Sequence, residues 1–184
     1  MNPKRRSIRL PGYDYASAGW YFVTIISHKR KHLFGEVREG EMVLNEAGEI
    51  AQKCWMEIPE HFPDVILHDH VVMPNHIHGI IELTVRAENF LPLQNAKNEF
   101  QKMIPRSVSS VVKGFKIGVT KSMRKKTLEV EVWHRNYHEH IIRNEDPYLK
   151  ISAYIQNNPS IWQEDEYFRI DKRNCDPSSS NKIL

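Results

Sequence analysis

The sequence predicts an α+β fold, an antiparallel sheet with helices on one face, and three observations carry that prediction. Runs of aromatic and β-branched residues recur at 20–27, 65–72 and 75–83 (WYFVTIIS, VILHDHVV, NHIHGIIEL) and read as strands. Between and after them, apolar residues repeat at helical spacing in three segments. The last two strands are joined only by Met73-Pro74, too short for a crossover, so they pair antiparallel.

Each element follows from its own residues. Trp20–Ser27 is the first strand. Phe34–Val37 and Met42–Leu44 flank a turn containing Gly40, the pattern of a small hairpin. Asn45 is an N-cap candidate for a helix carrying Ile50, Ala51, Cys54, Trp55 and Ile58, which Pro59 ends. After the antiparallel pair, residues 84–106 lack a clean period and contain Pro92 and Pro105; this is expected to be a variable, mobile loop. Ser107–Lys126 then places Val108, Val111, Val112, Phe115, Val119 and Met123 on one face of a second helix whose outer side is basic. Leu128–Trp133 and His138–Arg143 are strand-like. Asn144-Glu145-Asp146-Pro147 joins a capping residue, acids and an early proline, a strong start for a third helix that runs to Asn158-Pro159. With helices on one face, the other face of the sheet is free for a ligand.

The 184 residues suit one domain with tails. The expected division is a single domain over 1–162, opening with a basic segment 1–19, and a polar, flexible tail over 163–184. No stretch is apolar enough to span a membrane, and no signal-peptide core follows the basic N-terminus, so a cytoplasmic location is expected. Two cysteines, Cys54 and Cys175, suit neither a disulfide framework nor a cysteine metal site.

The net charge of +3 conceals strong segregation. Residues 1–31 hold seven Lys or Arg and one acid, and residues 102–126 hold eight and none. Concentrated positive charge is what a polyanion such as nucleic acid attracts.

Three His-x-His pairs occur, His68/His70, His76/His78 and His138/His140, and on a strand each would project two imidazoles from one face. The intervening residue points to the other face, the helix-covered core. Ile77 suits that position, whereas Asp69 and Glu139 would bury a carboxylate. Gly79 leaves room for a close approach beside the pair. His76 and His78 are therefore the preferred metal-ligand candidates.

The run Val72-Met73-Pro74-Asn75-His76-Ile77-His78-Gly79, followed by Tyr154-Ile155-Gln156-Asn157-Asn158-Pro159, resembles the single-tyrosine HUH transposases, most closely the REP-associated tyrosine transposase branch. Arg5-Arg6-x-x-Arg9-Leu10-x-Gly12-Tyr13, the Tyr21–Ile25 strand and the Trp133-x-x-x-Tyr137-x-x-x-Ile141-Ile-Arg143 segment are similar too. The likeness spans about 5–162 in the family's motif order, leaving out 84–106 and the tail. It implies the ferredoxin-like or RRM-like HUH endonuclease fold. It also implies an enzyme that cleaves and rejoins single-stranded DNA at hairpin or repeat sequences through a 5′-phosphotyrosine intermediate.

Carried over by motif, the nucleophile is Tyr154 and the metal ligands include His76 and His78. Asn158 stands four residues after Tyr154, on the same helix face, and becomes the third ligand. Two imidazoles and an amide leave the charge of Mg²⁺ or Mn²⁺ uncompensated and positions open for phosphate. Lys150, one turn before Tyr154, is a supporting candidate for lowering the phenol's pKa. Arg5, Arg6, Arg9, Lys113, Lys116, Lys121 and Arg124 are expected to contact DNA phosphates. Tyr137 and Tyr167 are the rival tyrosines. A monomer or a homodimer is expected. The alternatives are a non-catalytic single-stranded nucleic-acid binder on the same scaffold and a zinc hydrolase, though no further histidine or carboxylate completes a zinc signature.

Overall fold

A computed structural model describes residues 15–84, 106–126 and 131–168. The elements are β1 (Gly19–Ile26), β2 (Gly35–Arg38), β3 (Glu41–Leu44), α1 (Glu46–Met56), α2 (Ile58–His61), β4 (Val65–Val72), β5 (His76–Leu83), α3 (Val108–Lys125), β6 (His138–Ile142) and α4 (Glu145–Asn157). The expectations for Arg5, Arg6 and Arg9, for the loop interior 85–105, for residues 128–130 and for the tail beyond 168 lie outside the described residues; of the expected strand Leu128–Trp133, the described residues form only a single bridge, Trp133 with Ser27.

The fold class is α+β, with a four-stranded antiparallel sheet in the order β4-β5-β1-β6. The β2–β3 hairpin stands apart. Its turn residues Glu39 and Gly40 both have positive φ, 51° and 80°, the left-handed pair that a two-residue hairpin requires and Gly40 supplies without strain. Asn45 caps α1 by accepting from Gly48 N at 3.0 Å, as its side chain predicts.

One face of the sheet carries Tyr21, Val23, Ile25, Ile77 and Ile81, which pack with Trp55 of α1 and Val111, Phe115 and Val119 of α3 in the main core. Gly79 belongs to this face. A Cβ there would meet the Trp55 ring at 2.3 Å, so its lack of a side chain is what seats the indole against the sheet.

The third helix departs from the expectation. Helix α4 lies over the opposite face, where Tyr148, Ile151, Tyr154 and Ile155 pack on Trp20, Phe22, Val71, Ile80 and Ile142. The reason is legible in the strands. β1 is apolar almost continuously rather than in alternation, and β5 adds Ile80 to the second face, the mark of strands buried on both sides. Helix α4 thus covers part of the second face, and the histidines lie on the part that α4 leaves to other segments.

Candidate active site

On β5, His76 and His78 lie opposite Ile26 and Thr24 of β1, while Ile77 between them is fully buried in the main core. The alternation that singled out this pair therefore operates as predicted. The two rings are 4.3 Å apart and almost inaccessible, at 0% and 2% exposure.

Each imidazole is held by its Nδ1. His76 Nδ1 is 2.9 Å from Asn75 Oδ1. The Asn75 amide nitrogen donates to Tyr167 O at 2.8 Å and Arg30 O at 3.3 Å, so its oxygen can only accept. His76 is accordingly protonated on Nδ1 and presents a bare Nε2, which is buried and has no partner among the described residues. His78 Nδ1 is 2.9 Å from Thr24 Oγ1, and its Nε2 is 3.3 Å from Tyr154 Oη. Burial lowers the His76 pKa to about 3, with the Arg30 charge adding to the effect. Burial first, and then His76, drive His78 well below its ordinary value against the pull of Asp165. Both rings are neutral at pH 7, the state in which imidazole ligates a metal.

Helix α4 brings Tyr154 and Asn158 to the same place. The Tyr154 hydroxyl donates to Asp165 Oδ2 at 3.1 Å, and Asn158 Nδ2 donates to the same oxygen at 2.9 Å. The other Asp165 oxygen accepts from Tyr167 N at 2.6 Å. Ligand atoms of His76, His78 and Asp165 lie within 4.8 Å of one another. Asn158 Oδ1 is a second buried acceptor with no partner. Unsatisfied buried acceptors cost about 1–3 kcal/mol each, and a divalent cation among His76, His78 and Asp165 would satisfy His76 Nε2 and the carboxylate together. The residues fit such an ion.

Asp165 is the residue that sequence reasoning missed, because the polar composition after Trp162 reads as a tail outside the domain. Residues up to 168 instead fold back over the site. Trp162 and Tyr167 join Ile26 and Met73 in a second apolar cluster, and the Tyr167 ring lies 4.6 Å from that of His76. The available signal was the aromatic spacing Trp162, Tyr167, Phe168 within an acidic stretch. This segment is also what buries the histidines.

Among the rival tyrosines, the Tyr137 hydroxyl is committed elsewhere: it donates to Glu139 and lies 3.1 Å from Ser109 Oγ of α3. Tyr167 is within the site but is buried. Tyr154 is half-buried and opens on a pocket of about 500 Å³ that Phe22, His78, His138 and His140 also line. Burial, followed by the Asp165 charge and hydrogen bond, raises the Tyr154 pKa; the Asn158 hydrogen bond opposes them. Lys150 is exposed, and the charges acting on the phenol are those of Asp165 and Glu166, both acidic.

The other His-x-His pairs find different roles. A register shift between Leu67 and His70 turns both His68 and Asp69 toward α4. Asp69 accepts from Ser152 Oγ at 2.6 Å and Gln156 Nε2 at 2.9 Å, and His68 bonds Glu82 and Tyr148. This bulge removes the burial that alternation would have imposed on Asp69. His138 and His140 are exposed at the sheet edge.

Lys113, Lys121 and Arg124 are exposed on α3, on the side of the sheet opposite the histidines. Lys116 is half-buried and donates to His134 O at 2.9 Å and Asn136 O at 3.1 Å, so its ammonium holds the turn before β6.

No family model matches the chain. An uncharacterized protein of Haemophilus influenzae is 46% identical over 167 residues, which span 89% of this chain and 93% of that protein. A second Haemophilus influenzae protein, provisionally named a REP-associated tyrosine transposase, is 23% identical over 79% of this chain and 73% of its own length. Among solved structures, a REP-associated tyrosine transposase bound to a REP hairpin superimposes with a TM-score of 0.52 at 20% identity, covering 86% of this chain and 73% of that one. The fold is thus that of the REP-associated tyrosine transposase structure, and the sequence is distantly similar to a protein of that name.

Proposed function

We propose that the chain is a divalent-metal-dependent transposase or endonuclease that cleaves and rejoins single-stranded DNA at hairpin or repeat sequences, with Tyr154 as nucleophile. The supporting observation is the position of the Tyr154 hydroxyl, which is 3.3 Å from His78 Nε2, 3.1 Å from Asp165 Oδ2 and open to a pocket.

His76, His78, Asn158 and Asp165 would hold the ion. Two imidazoles suit Mn²⁺ and the oxygen ligands suit Mg²⁺ as well. When bound, the ion supplies positive charge to offset that of the attacked phosphate. The chain's own residues do the rest. Tyr154 attacks phosphorus, the P–O3′ bond breaks, and a 5′-phosphotyrosine link and a 3′-hydroxyl result. Asp165 already accepts the phenol hydrogen, and the proton count is restored as the 3′ oxygen departs as a hydroxyl. Rejoining reverses these steps. Burial and the Asp165 charge hold the phenol protonated, and a bound cation would oppose the Asp165 contribution.

The test is incubation with hairpin-bearing single strands and Mn²⁺ or Mg²⁺, followed by denaturing gels. Tyr154→Phe should form no covalent adduct and Tyr167→Phe should still form one; adduct in Tyr154→Phe would overturn the proposal.

A further inference from the structure

The loop after β1 contains two successive non-glycine residues in the left-handed region, Lys29 with φ 52° and Arg30 with φ 53°. Such a conformation is strained for side-chain-bearing residues and persists only where the surroundings impose it. Here they do. Arg30 N donates to Ser27 O at 3.1 Å, Lys31 N to His28 O at 3.2 Å, and Ser27 Oγ to Lys31 O at 2.7 Å. Asn75, the residue that orients His76, also donates to Arg30 O. The strained loop is thus fastened to the histidine strand.

Its effect is to aim one side chain. The Arg30 guanidinium lies over the Tyr167 ring, 5.2 Å from the centroid, and its one hydrogen bond to a described residue is a long one of 3.4 Å to Glu166 O. Most of its donors are uncommitted. Arg30 is the sole Lys or Arg among the described residues lining the pocket that holds Tyr154 and His78. The same pocket contains Glu139 and Glu166, and Asp165 bonds the Tyr154 hydroxyl. A phosphodiester entering here therefore meets carboxylates, with one fixed cation to offset them.

We propose that Arg30 is the anion clamp of the site, its planar guanidinium gripping the non-bridging oxygens of the phosphate that Tyr154 attacks. This rests on the transesterification proposed above. Stacking on Tyr167 keeps the fork in place before substrate arrives, and the left-handed backbone is retained because the side chain, and not just the turn, is needed there.

The experiment uses the full chain and the adduct assay at saturating single-stranded DNA. Arg30→Gly relieves the strained φ, so it should keep the wild-type circular dichroism spectrum while its single-turnover rate falls on the order of 100-fold. Arg30→Lys, which keeps charge but not the fork, should recover part of the rate. The cleavage position mapped from wild-type adduct then defines an oligonucleotide with one neutral methylphosphonate at that phosphate. In a Tyr154→Phe background, fluorescence anisotropy should show Arg30→Gly weakening the charged strand and sparing the neutral one. Wild-type rate in Arg30→Gly, or equal weakening of both strands, overturns the clamp and leaves Tyr154 untouched. Absence of adduct from the wild type overturns the transesterification and the clamp with it.

Discussion

Asn75 is the most informative side chain to remove, because it ties three segments to one imidazole. It is fully buried, accepts from His76 Nδ1, and donates to the carbonyls of Tyr167 and Arg30. Asn75→Ala deletes all three bonds and leaves a buried imidazole N–H and the Tyr167 carbonyl unpaired. At about 1 kcal/mol per bond, with the desolvation of the orphaned groups included, the loss is about 3 kcal/mol. For a domain of this size that lowers the melting temperature by roughly 6–12 °C. The imidazole also loses the acceptor that fixes its tautomer, so Mn²⁺ affinity by calorimetry should fall about 10–100-fold. Asn75→Asp restores the acceptor but not the two donations, so it should recover metal affinity without recovering stability. A melting temperature within about 2 °C of wild type together with unchanged Mn²⁺ affinity in Asn75→Ala would refute the reasoning.

Gly79→Ala should destabilise the protein by about 1–3 kcal/mol in urea titration, since the new methyl meets Trp55 at 2.3 Å; Trp55→Phe should restore part of the loss, and full tolerance of the alanine would contradict the packing. His76 has a folded pKa of about 3 against an ordinary 6.5, so the unfolded chain binds the extra proton between those values. Stability from this group is complete above about pH 6.5 and is lost as pH falls toward 3, by about 1.4 kcal/mol per unit, or roughly 2 kcal/mol from pH 7 to 5. His78 acts in the same direction, and a urea midpoint that held constant to pH 5 without metal would contradict neutral burial. Asp69→Ala removes the acceptor for Ser152 and Gln156; amide exchange in the second half of α4 should quicken about fivefold, as expected for about 1 kcal/mol at a half-exposed site. Unchanged exchange would show that apolar packing alone docks the tyrosine helix.

Local signals carried the sequence far. Period-two and period-3.6 patterns located the strands and helices, because each element's burial is written in its own residues. Asn45 marked a helix start, Glu39-Gly40 a hairpin turn, and Ile77 the inward side of the histidine strand. The charge segregation and the His76/His78 and Tyr154/Asn158 spacings were likewise readable from neighbours a few residues apart.

What only the tertiary structure decided are relations between residues far apart in the chain. The bulge in β4 arises from pairing with β5 and sends Asp69 toward α4, against simple alternation. Helix α4 covers the second sheet face because Trp20, Phe22 and Ile80 present apolar surface there, although no local pattern says which helix will bury it. Asp165 enters the site because Trp162 and Tyr167 find Ile26 and Met73, contacts spanning most of the chain. Arg30 faces the same pocket because Asn75 holds its loop. Sequence periodicity reports which side of an element avoids water; which distant surface supplies that shelter, and which charged groups arrive with it, is settled only when the whole chain packs.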